Sequence, residues 1–128
     1  MPLELRAFFD RYCQAFNSLD GEAVAALYAV PSGIVDERSF AYWATAEPIQ
    51  KNMRALCELY QRDGYVSATY EPRAHIQQGN DFAVADVAWQ IEWQGKAPST
   101  FNTTYNLART PDGWRVLLCT AYSEQRLS

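Results

Sequence analysis

The sequence is poor in the residues that build metal centres and redox motifs. It has one histidine, His75, and three widely spaced cysteines at Cys13, Cys57 and Cys119. A single imidazole excludes a histidine-cluster metal site, and no CxxC pair or other metal-ligand spacing occurs. The sequence therefore predicts no metal site. We interpret the cysteines as reduced, buried thiols of a cytoplasmic protein.

Positive charge, long apolar runs and phosphate-binding loops are also scarce. The net charge is −4 and the pI is about 4.9, whereas nucleic-acid binding needs a basic surface. No run approaches the roughly 20 apolar residues that span a membrane, and the charged N-terminal stretch does not fit a signal peptide. The sequence contains no glycine-rich phosphate loop and no nucleophile elbow. We therefore predict no cofactor, no nucleic-acid partner and no membrane partner.

Aromatic and apolar residues are abundant instead. The 128 residues are 48% hydrophobic and include four tryptophans and eight tyrosines. This length and composition predict a single domain over residues 1–128 with a substantial core. Tyrosine and tryptophan rings can also line a cavity, because each combines an apolar body with a polar group.

The first half of the sequence predicts three helices. Apolar residues recur at helical spacing over residues 3–17, and a second helix is expected over residues 20–29, where Asp20 can cap it and Pro31 stops it. A short strand is expected from Gly33 to Asp36, and residues 37–44 are expected to be irregular. A third helix is predicted between Thr45 and Gly64, with an apolar stripe at Ile49, Met53, Leu56, Cys57 and Tyr60.

The second half changes to the period of two that is typical of strands. Strands are predicted over residues 66–78, 82–94, 99–110 and 114–122, joined by short turns. Three helices followed by an antiparallel meander predict an α+β fold, in which the helices lie in the concavity of a strongly bent sheet. Such a cone-shaped α+β barrel tends to leave a hollow that can bind a ligand.

The stretches RYCQAFNSLDGEAVAALYA, GIVD and GWRV…CTAYSE carry a family resemblance. In these stretches, and in its predicted layout over nearly the whole chain, the sequence resembles the nuclear transport factor 2-like superfamily, in particular its SnoaL-like and ketosteroid isomerase-like branch. The resemblance implies a cystatin-like fold and two alternative functions. One is cofactor-independent proton transfer, by an isomerase or a lyase, on an apolar carbonyl-containing or hydroxylated compound. The other is a non-catalytic ligand-binding or protein-interaction module.

The resemblance also implies roles for three residues. Tyr12 and Asp36 keep the 24-residue spacing between the oxyanion-hole tyrosine and the general base of ketosteroid isomerase-like proteins. Asn106 stands where that family has a second, acidic oxyanion donor, and its amide can donate without a pKa shift. The supporting tyrosine of the third helix is replaced by Met53, a thioether that cannot make that hydrogen bond, and Tyr28 is the expected substitute.

The residues themselves leave alternatives open. Asp36 can be a solvated strand end, a cap of the following turn or a partner of Arg38. Tyr12 can be an ordinary core residue, and Asn106 can face solvent. His75 is expected on a solvated strand face, although a pair with Asp36 would suit a dehydratase. The predicted pocket lining consists of Tyr28, Met53, Val87, Trp89, Ile91 and Cys119.

An apolar outer sheet face is also expected. If Cys119 faces inward, Val116, Leu118 and Tyr122 face outward, and the phase assigned to the preceding strand turns further apolar residues outward, namely Phe101, Tyr105 and Leu107. A patch of this size on a soluble protein usually meets a partner. The sequence therefore predicts a homodimer through the outer face of the sheet, in addition to a small-molecule ligand in the hollow.

Overall fold

The computed structural model describes residues 1–123 and contains three helices in that range. These are α1 (Leu3–Asn17), α2 (Gly21–Ala25) and α3 (Ala46–Arg62). The Asp20 side chain caps α2 by accepting a hydrogen bond from the backbone N–H of Ala23, as its sequence position predicts. The apolar faces of α1 and α3 are buried, so both helices pack against the sheet through the stripes that the periodicity indicates.

Six strands form one sheet. They are β1 (Tyr28–Val35), β2 (Phe40–Trp43), β3 (Tyr65–Gln78), β4 (Phe82–Trp93), β5 (Lys96–Thr110) and β6 (Gly113–Tyr122). The strand order is β2-β1-β6-β5-β4-β3. All neighbouring strands are antiparallel except β1 and β6, which are parallel. The sheet is curved and unclosed, and the helices pack against it, which confirms the predicted α+β architecture.

Two local predictions in the first half are wrong. The second helix ends at Ala25 rather than at residue 29, and Tyr28 begins a strand. Residues 37–44 are not irregular throughout, because Phe40–Trp43 form β2 against β1. Tertiary pairing explains both differences. Strand β1 gains hydrogen-bonding partners on both of its edges, β2 on one side and β6 on the other, and this outweighs the local helical pattern.

Strand β4 supplies the inner wall of the sheet. Its odd-numbered residues Val87, Trp89 and Ile91 are buried against the helices, while Asp86 and Gln90 lie on the other face. This alternation agrees with the predicted pattern for the strand.

The predicted phase of β5 is wrong. Tyr105 lies opposite Ala85 in the sheet, and directly paired residues share a face, so Tyr105 and Leu107 are buried inside the fold. Strand β6 has an irregular register at this point: Leu107 pairs with Val116, whereas Asn106 pairs with Leu118. One extra residue lets both Val116 and Cys119 face the core. The outward patch expected from Phe101, Tyr105, Leu107 and Val116 therefore does not form.

None of the helices within residues 1–123 combines the length and the apolar character required to cross a bilayer.

Candidate functional site

A pocket of about 210 Å³ lies between the helices and the inner face of the sheet. We call it the inner pocket. Its buried floor is formed by Tyr12, Tyr28, Met53, Ala68, Trp89, Ile91, Thr103, Tyr105 and Cys119. Its mouth is formed by half-buried residues, namely Phe16, Ile34, Leu56, Tyr60, Tyr65, Phe101 and Ala121. The lining is therefore mainly aromatic and aliphatic, which is typical of small-molecule sites.

Three tyrosine hydroxyls lie close together in the floor. The hydroxyls of Tyr12 and Tyr28 are 2.7 Å apart, and the Tyr28 hydroxyl lies 3.5 Å from Sγ of Cys119. The indole N–H of Trp89 donates to the hydroxyl of Tyr105 at 3.1 Å. The rings of Tyr12 and Tyr105 meet edge to face, with centroids 5.5 Å apart. We refer to Tyr12, Tyr28 and Tyr105 as the tyrosine triad.

Burial determines the protonation of these groups. Desolvation raises the pKa of each member of the tyrosine triad well above its usual value. Burial also raises the pKa of the Cys119 thiol to about 11. At neutral pH the floor therefore carries hydroxyl and thiol groups in their neutral forms, which can donate and accept hydrogen bonds.

The mouth of the pocket is held by an aromatic cluster and one amide. Tyr60 stacks on Tyr65 with centroids 5.5 Å apart, and Phe16 packs against Tyr60 at 6.1 Å. The side-chain oxygen of Asn17 accepts hydrogen bonds from the Tyr65 hydroxyl at 2.6 Å and from the backbone N–H of Ala68 at 2.7 Å. This amide fixes the end of α1 to the start of β3.

Asp36 does not reach the inner pocket, and this overturns its prediction as a pocket carboxylate. It follows the end of β1 and is fully exposed. One of its carboxylate oxygens accepts hydrogen bonds from the backbone N–H groups of Arg38 and Ser39, both at 2.8 Å. These bonds lower the pKa of Asp36. The chain turns over residues 36–39 to pair β1 with β2, so the carboxylate caps a turn outside the hollow, one of the alternatives left open above.

The sequence matches the family described as NTF2-like protein (DUF6841) over residues 3–124. The chain belongs to this NTF2-like family. No curated protein matches the sequence significantly.

Solved structures share the fold of this NTF2-like protein at low sequence identity. An NTF2-like protein of unknown function from Shewanella oneidensis is 14% identical with a TM-score of 0.77, and the match covers 94% of this chain and 97% of that one. A ketosteroid isomerase-like protein from Erwinia carotovora atroseptica is 17% identical with a TM-score of 0.70, covering 96% and 95%. An NTF2-like protein with a cystatin-like fold from Novosphingobium aromaticivorans is 19% identical with a TM-score of 0.78, covering 98% and 82%. Similarity at this level shows the fold alone.

Three other residues that were considered for the site of this NTF2-like protein, Asn106, Val87 and His75, do not line the inner pocket. Asn106 is half-buried and does not line the inner pocket, because β5 has the opposite phase to the one expected. Val87 is fully buried on the inner face but does not reach the pocket surface. His75 is exposed near the far end of β3, as expected from its polar neighbours, so it does not pair with Asp36 in the hollow. Tyr12, predicted as an oxyanion donor, lies in the pocket lining, and so do the remaining residues of the predicted lining: Tyr28, Met53, Trp89, Ile91 and Cys119.

Several pocket residues escaped sequence analysis. Tyr105 and Thr103 were missed because the strand phase was taken from the polar residues beside them rather than from pairing with β4. Their signal was present as alternation with Leu107, which is also buried. Among residues 1–123, no group of three histidine, cysteine or carboxylate side chains is placed to hold a metal ion.

A second, larger depression of about 570 Å³ lies along β3, β4 and β5. We call it the outer groove. Its lining combines polar and apolar side chains in similar measure and comprises Thr69, Tyr70, Glu71, Arg73, Ala88, Trp89, Gln90, Thr100, Phe101 and Asn102. Nearby, Asp86 accepts hydrogen bonds from the hydroxyls of Thr104 at 3.1 Å and Tyr122 at 2.9 Å. The outer sheet face is thus more polar than the sequence predicts.

Proposed function

We propose that this NTF2-like protein binds one compact, uncharged and mainly apolar molecule in the inner pocket, without catalysing proton transfer on it. The observation that carries this proposal is the composition of the lining. It combines apolar walls with neutral hydroxyl groups, and among residues 1–123 it contains no carboxylate, imidazole or amine. A general base must lie within hydrogen-bond reach of the proton that it removes, and Asp36 does not.

The volume of the inner pocket limits the size of the ligand. Drug-sized molecules occupy pockets of roughly 300–1,000 Å³, and a cavity of about 150 Å³ accepts benzene. A pocket of about 210 Å³ therefore suits a ring bearing a small substituent. A steroid is too large for it unless the helices move.

The polarity of the floor limits the charge of the ligand. An ion in this pocket would lose its hydration without gaining an opposite charge, which costs several kcal/mol. A neutral ligand with one or two hydrogen-bonding atoms loses far less, because the tyrosine triad can replace its bonds to water. We therefore expect neutral aromatic or alicyclic compounds to bind and their charged analogues to be excluded.

Thermal unfolding with acetophenone and benzoate tests this proposal. Acetophenone at about one hundred times its Kd should stabilise the protein by roughly 2.7 kcal/mol, whereas benzoate should have no effect. Ala68→Leu, which adds a side chain to the pocket floor, should abolish the acetophenone effect. Tyr42→Phe is the matched control, because Tyr42 is 62% exposed and lies outside the pocket. Equal stabilisation of wild type and Ala68→Leu, or none at millimolar acetophenone, would contradict the proposal.

We also propose that the protein is a cytoplasmic homodimer that associates through the outer sheet face. Three free thiols suit a reducing compartment. Glu71 and Arg73 are both exposed on β3, and Arg73 lies 3.8 Å from Asp86 of the same chain. A guanidinium has further donors beside that ion pair, so a two-fold axis can bring the Glu71 carboxylate of each copy to the Arg73 of the other. Sedimentation at micromolar concentration should show a dimer, and Glu71→Arg, which leaves the Arg73–Asp86 ion pair in place, should shift it toward the 14.6 kDa monomer. A wild-type monomer at that concentration would contradict this association.

A further inference from the structure

One buried hydroxyl of the pocket floor makes no hydrogen bond within the described part of the protein. Thr103 of β5 pairs with Val87 of β4 and with Ala121 of β6, so its side chain lies on the inner face of the sheet. The residue is 4% exposed and lines the inner pocket. Among residues 1–123, no backbone or side-chain group forms a hydrogen bond with its hydroxyl. Thr103 is thus a buried polar side chain whose partner is missing.

The Thr103 hydroxyl opens on the inner pocket. Among the buried and half-buried side chains of residues 1–123, only Oγ of Ser32 both lacks a hydrogen-bond partner and is sealed off from solvent. Oγ1 of Thr103 also lacks a partner, so it must border a space that a solvent molecule can reach. The inner pocket is that space, because Thr103 and its paired neighbour Ala121 both line it.

The tyrosine hydroxyls of the floor already have protein partners. Those of Tyr12 and Tyr28 are bonded to each other at 2.7 Å, and the oxygen of Tyr105 accepts from the indole N–H of Trp89 at 3.1 Å. The hydroxyl of Thr103, by contrast, has its proton and both lone pairs available. It can donate to a ligand carbonyl, or accept from a ligand hydroxyl, without disturbing a bond inside the protein.

Burial makes this hydroxyl sensitive to the chemistry of the ligand. A polar group that is removed from water without a partner raises the free energy of the complex. A ligand oxygen beside Thr103 supplies the missing bond, whereas a methylene group in the same place leaves the hydroxyl unpaired and excludes water from it. A site whose buried polar group needs a partner therefore discriminates against the analogue that lacks one.

We propose that Thr103 recognises the polar atom of the ligand, so that the inner pocket prefers a compact neutral compound with a carbonyl or hydroxyl oxygen to a hydrocarbon of the same shape. This inference rests on the proposed binding of a compact neutral molecule in the inner pocket. It assigns the polar contact to a strand residue rather than to Tyr12, the residue that the family resemblance implies.

Two compounds of the same shape test the assignment. Acetophenone carries a carbonyl oxygen, and α-methylstyrene has a methylene group in its place. The ratio of their dissociation constants, compared between variants, cancels the difference in their hydration. A neutral hydrogen bond corresponds to about a 2- to 10-fold change in affinity. Thr103→Val keeps the branched shape without the hydroxyl and should lower the preference for acetophenone by that factor. Thr103→Ser keeps the hydroxyl and should retain the preference.

Thr104→Val is the matched control, because it is the same substitution one position later, on the opposite face of β5. The Thr104 hydroxyl donates to Asp86 at 3.1 Å, so this variant should lower the Tm but leave the ratio unchanged. Thr103→Val should not lower the Tm, because the hydroxyl that it removes has no partner among residues 1–123.

An unchanged ratio in Thr103→Val would overturn the assignment while leaving the binding pocket intact. A loss of Tm in Thr103→Val as large as that in Thr104→Val would also overturn it, because the hydroxyl would then be bonded within the protein. Failure of the wild-type protein to bind either compound would instead overturn the proposed function. If Thr103→Val does not fold, Thr103→Ala and Thr103→Ser, which differ only in the hydroxyl, decide the assignment by the same ratio.

Discussion

The contact between α2 and α3 leaves no room for a side chain at Gly21, and Gly21→Ala should destabilise the protein. A Cβ atom at Gly21 would lie 2.6 Å from both the backbone nitrogen and Cα of Arg54, and 2.8 Å from the carbonyl carbon of Met53. These are backbone atoms of α3, so no side chain can rotate away to relieve the contact. One helix must therefore shift relative to the other.

The magnitude follows from two opposing effects. Alanine is favoured over glycine in a helix by about 1 kcal/mol, which would stabilise the variant. Overpacking of a buried contact costs about 1–3 kcal/mol, and the rigid backbone partners place this contact at the upper end. We expect a net loss of about 2 kcal/mol in the free energy of unfolding. For a domain of this size that corresponds to a fall in Tm of roughly 6–10 °C.

Urea denaturation of wild type and Gly21→Ala measures this loss. The shift of α3 should also weaken acetophenone binding, because Met53 and Leu56 of α3 line the inner pocket. Gly79→Ala is the control for glycine replacement. A Cβ atom at this position would meet nothing within 4 Å, but the positive φ of 66° disfavours alanine, so the variant should lose stability through backbone strain alone. The control should lose stability but keep its affinity. A Gly21→Ala variant as stable as wild type would refute the reasoning.

Three further predictions follow from the site and its surroundings. Asp36→Ala should lower the free energy of unfolding at pH values above the usual carboxyl pKa but not in acid. The hydrogen bonds that lower the pKa of Asp36 stabilise the fold only while its carboxylate is ionised. The substitution should not change the affinity for acetophenone. In an alkaline absorbance titration, the tyrosine triad should ionise only when the protein unfolds, because burial raises the pKa of all three hydroxyls. Since the triad's pKa values are raised, the fold should keep its full stability below about pH 10 and lose it above that value. Met53→Ala should cost about 2–3 kcal/mol and allow larger ring compounds to bind, as thermal shifts with a size series would show.

The sequence predicted the elements that carry strong periodicity. Helices α1 and α3 and strands β3 to β6 have long apolar patterns, and their ends agree with the structure to within three residues. Strands β1 and β2 were harder to predict because they are short and depend on partners distant in sequence. In β2 the exposed positions hold the aromatic residues Phe40 and Tyr42, so the sequence lacks the alternation of apolar and polar residues that marks a half-buried strand.

The site was predictable only in part. Tyr12 and Met53 lie on helices, where the apolar stripe identifies the side that faces the sheet. The phase of β5 was hard to assign, because the strand buries Asn102 as well as Thr103, and this adjacent pair obscures the alternation of Thr103, Tyr105 and Leu107. The position of the Asp36 side chain depended on the conformation of the turn after it. Its carboxylate binds two backbone N–H groups, and residue types alone do not show where backbone N–H groups will point.

The parallel pairing of β1 with β6 has a consequence for how the chain reaches its final form. Tyr28 and Cys119, which meet in the pocket floor, are separated by 91 positions. During synthesis on the ribosome, β1 emerges long before the strand that must lie beside it, and β2 is the only neighbouring strand it can have in the meantime. Contacts between such distant segments form slowly, because a long loop must close first. The inner pocket is therefore a late product of folding, and a nascent chain that ends before β6 lacks Cys119 and Ala121 of its lining.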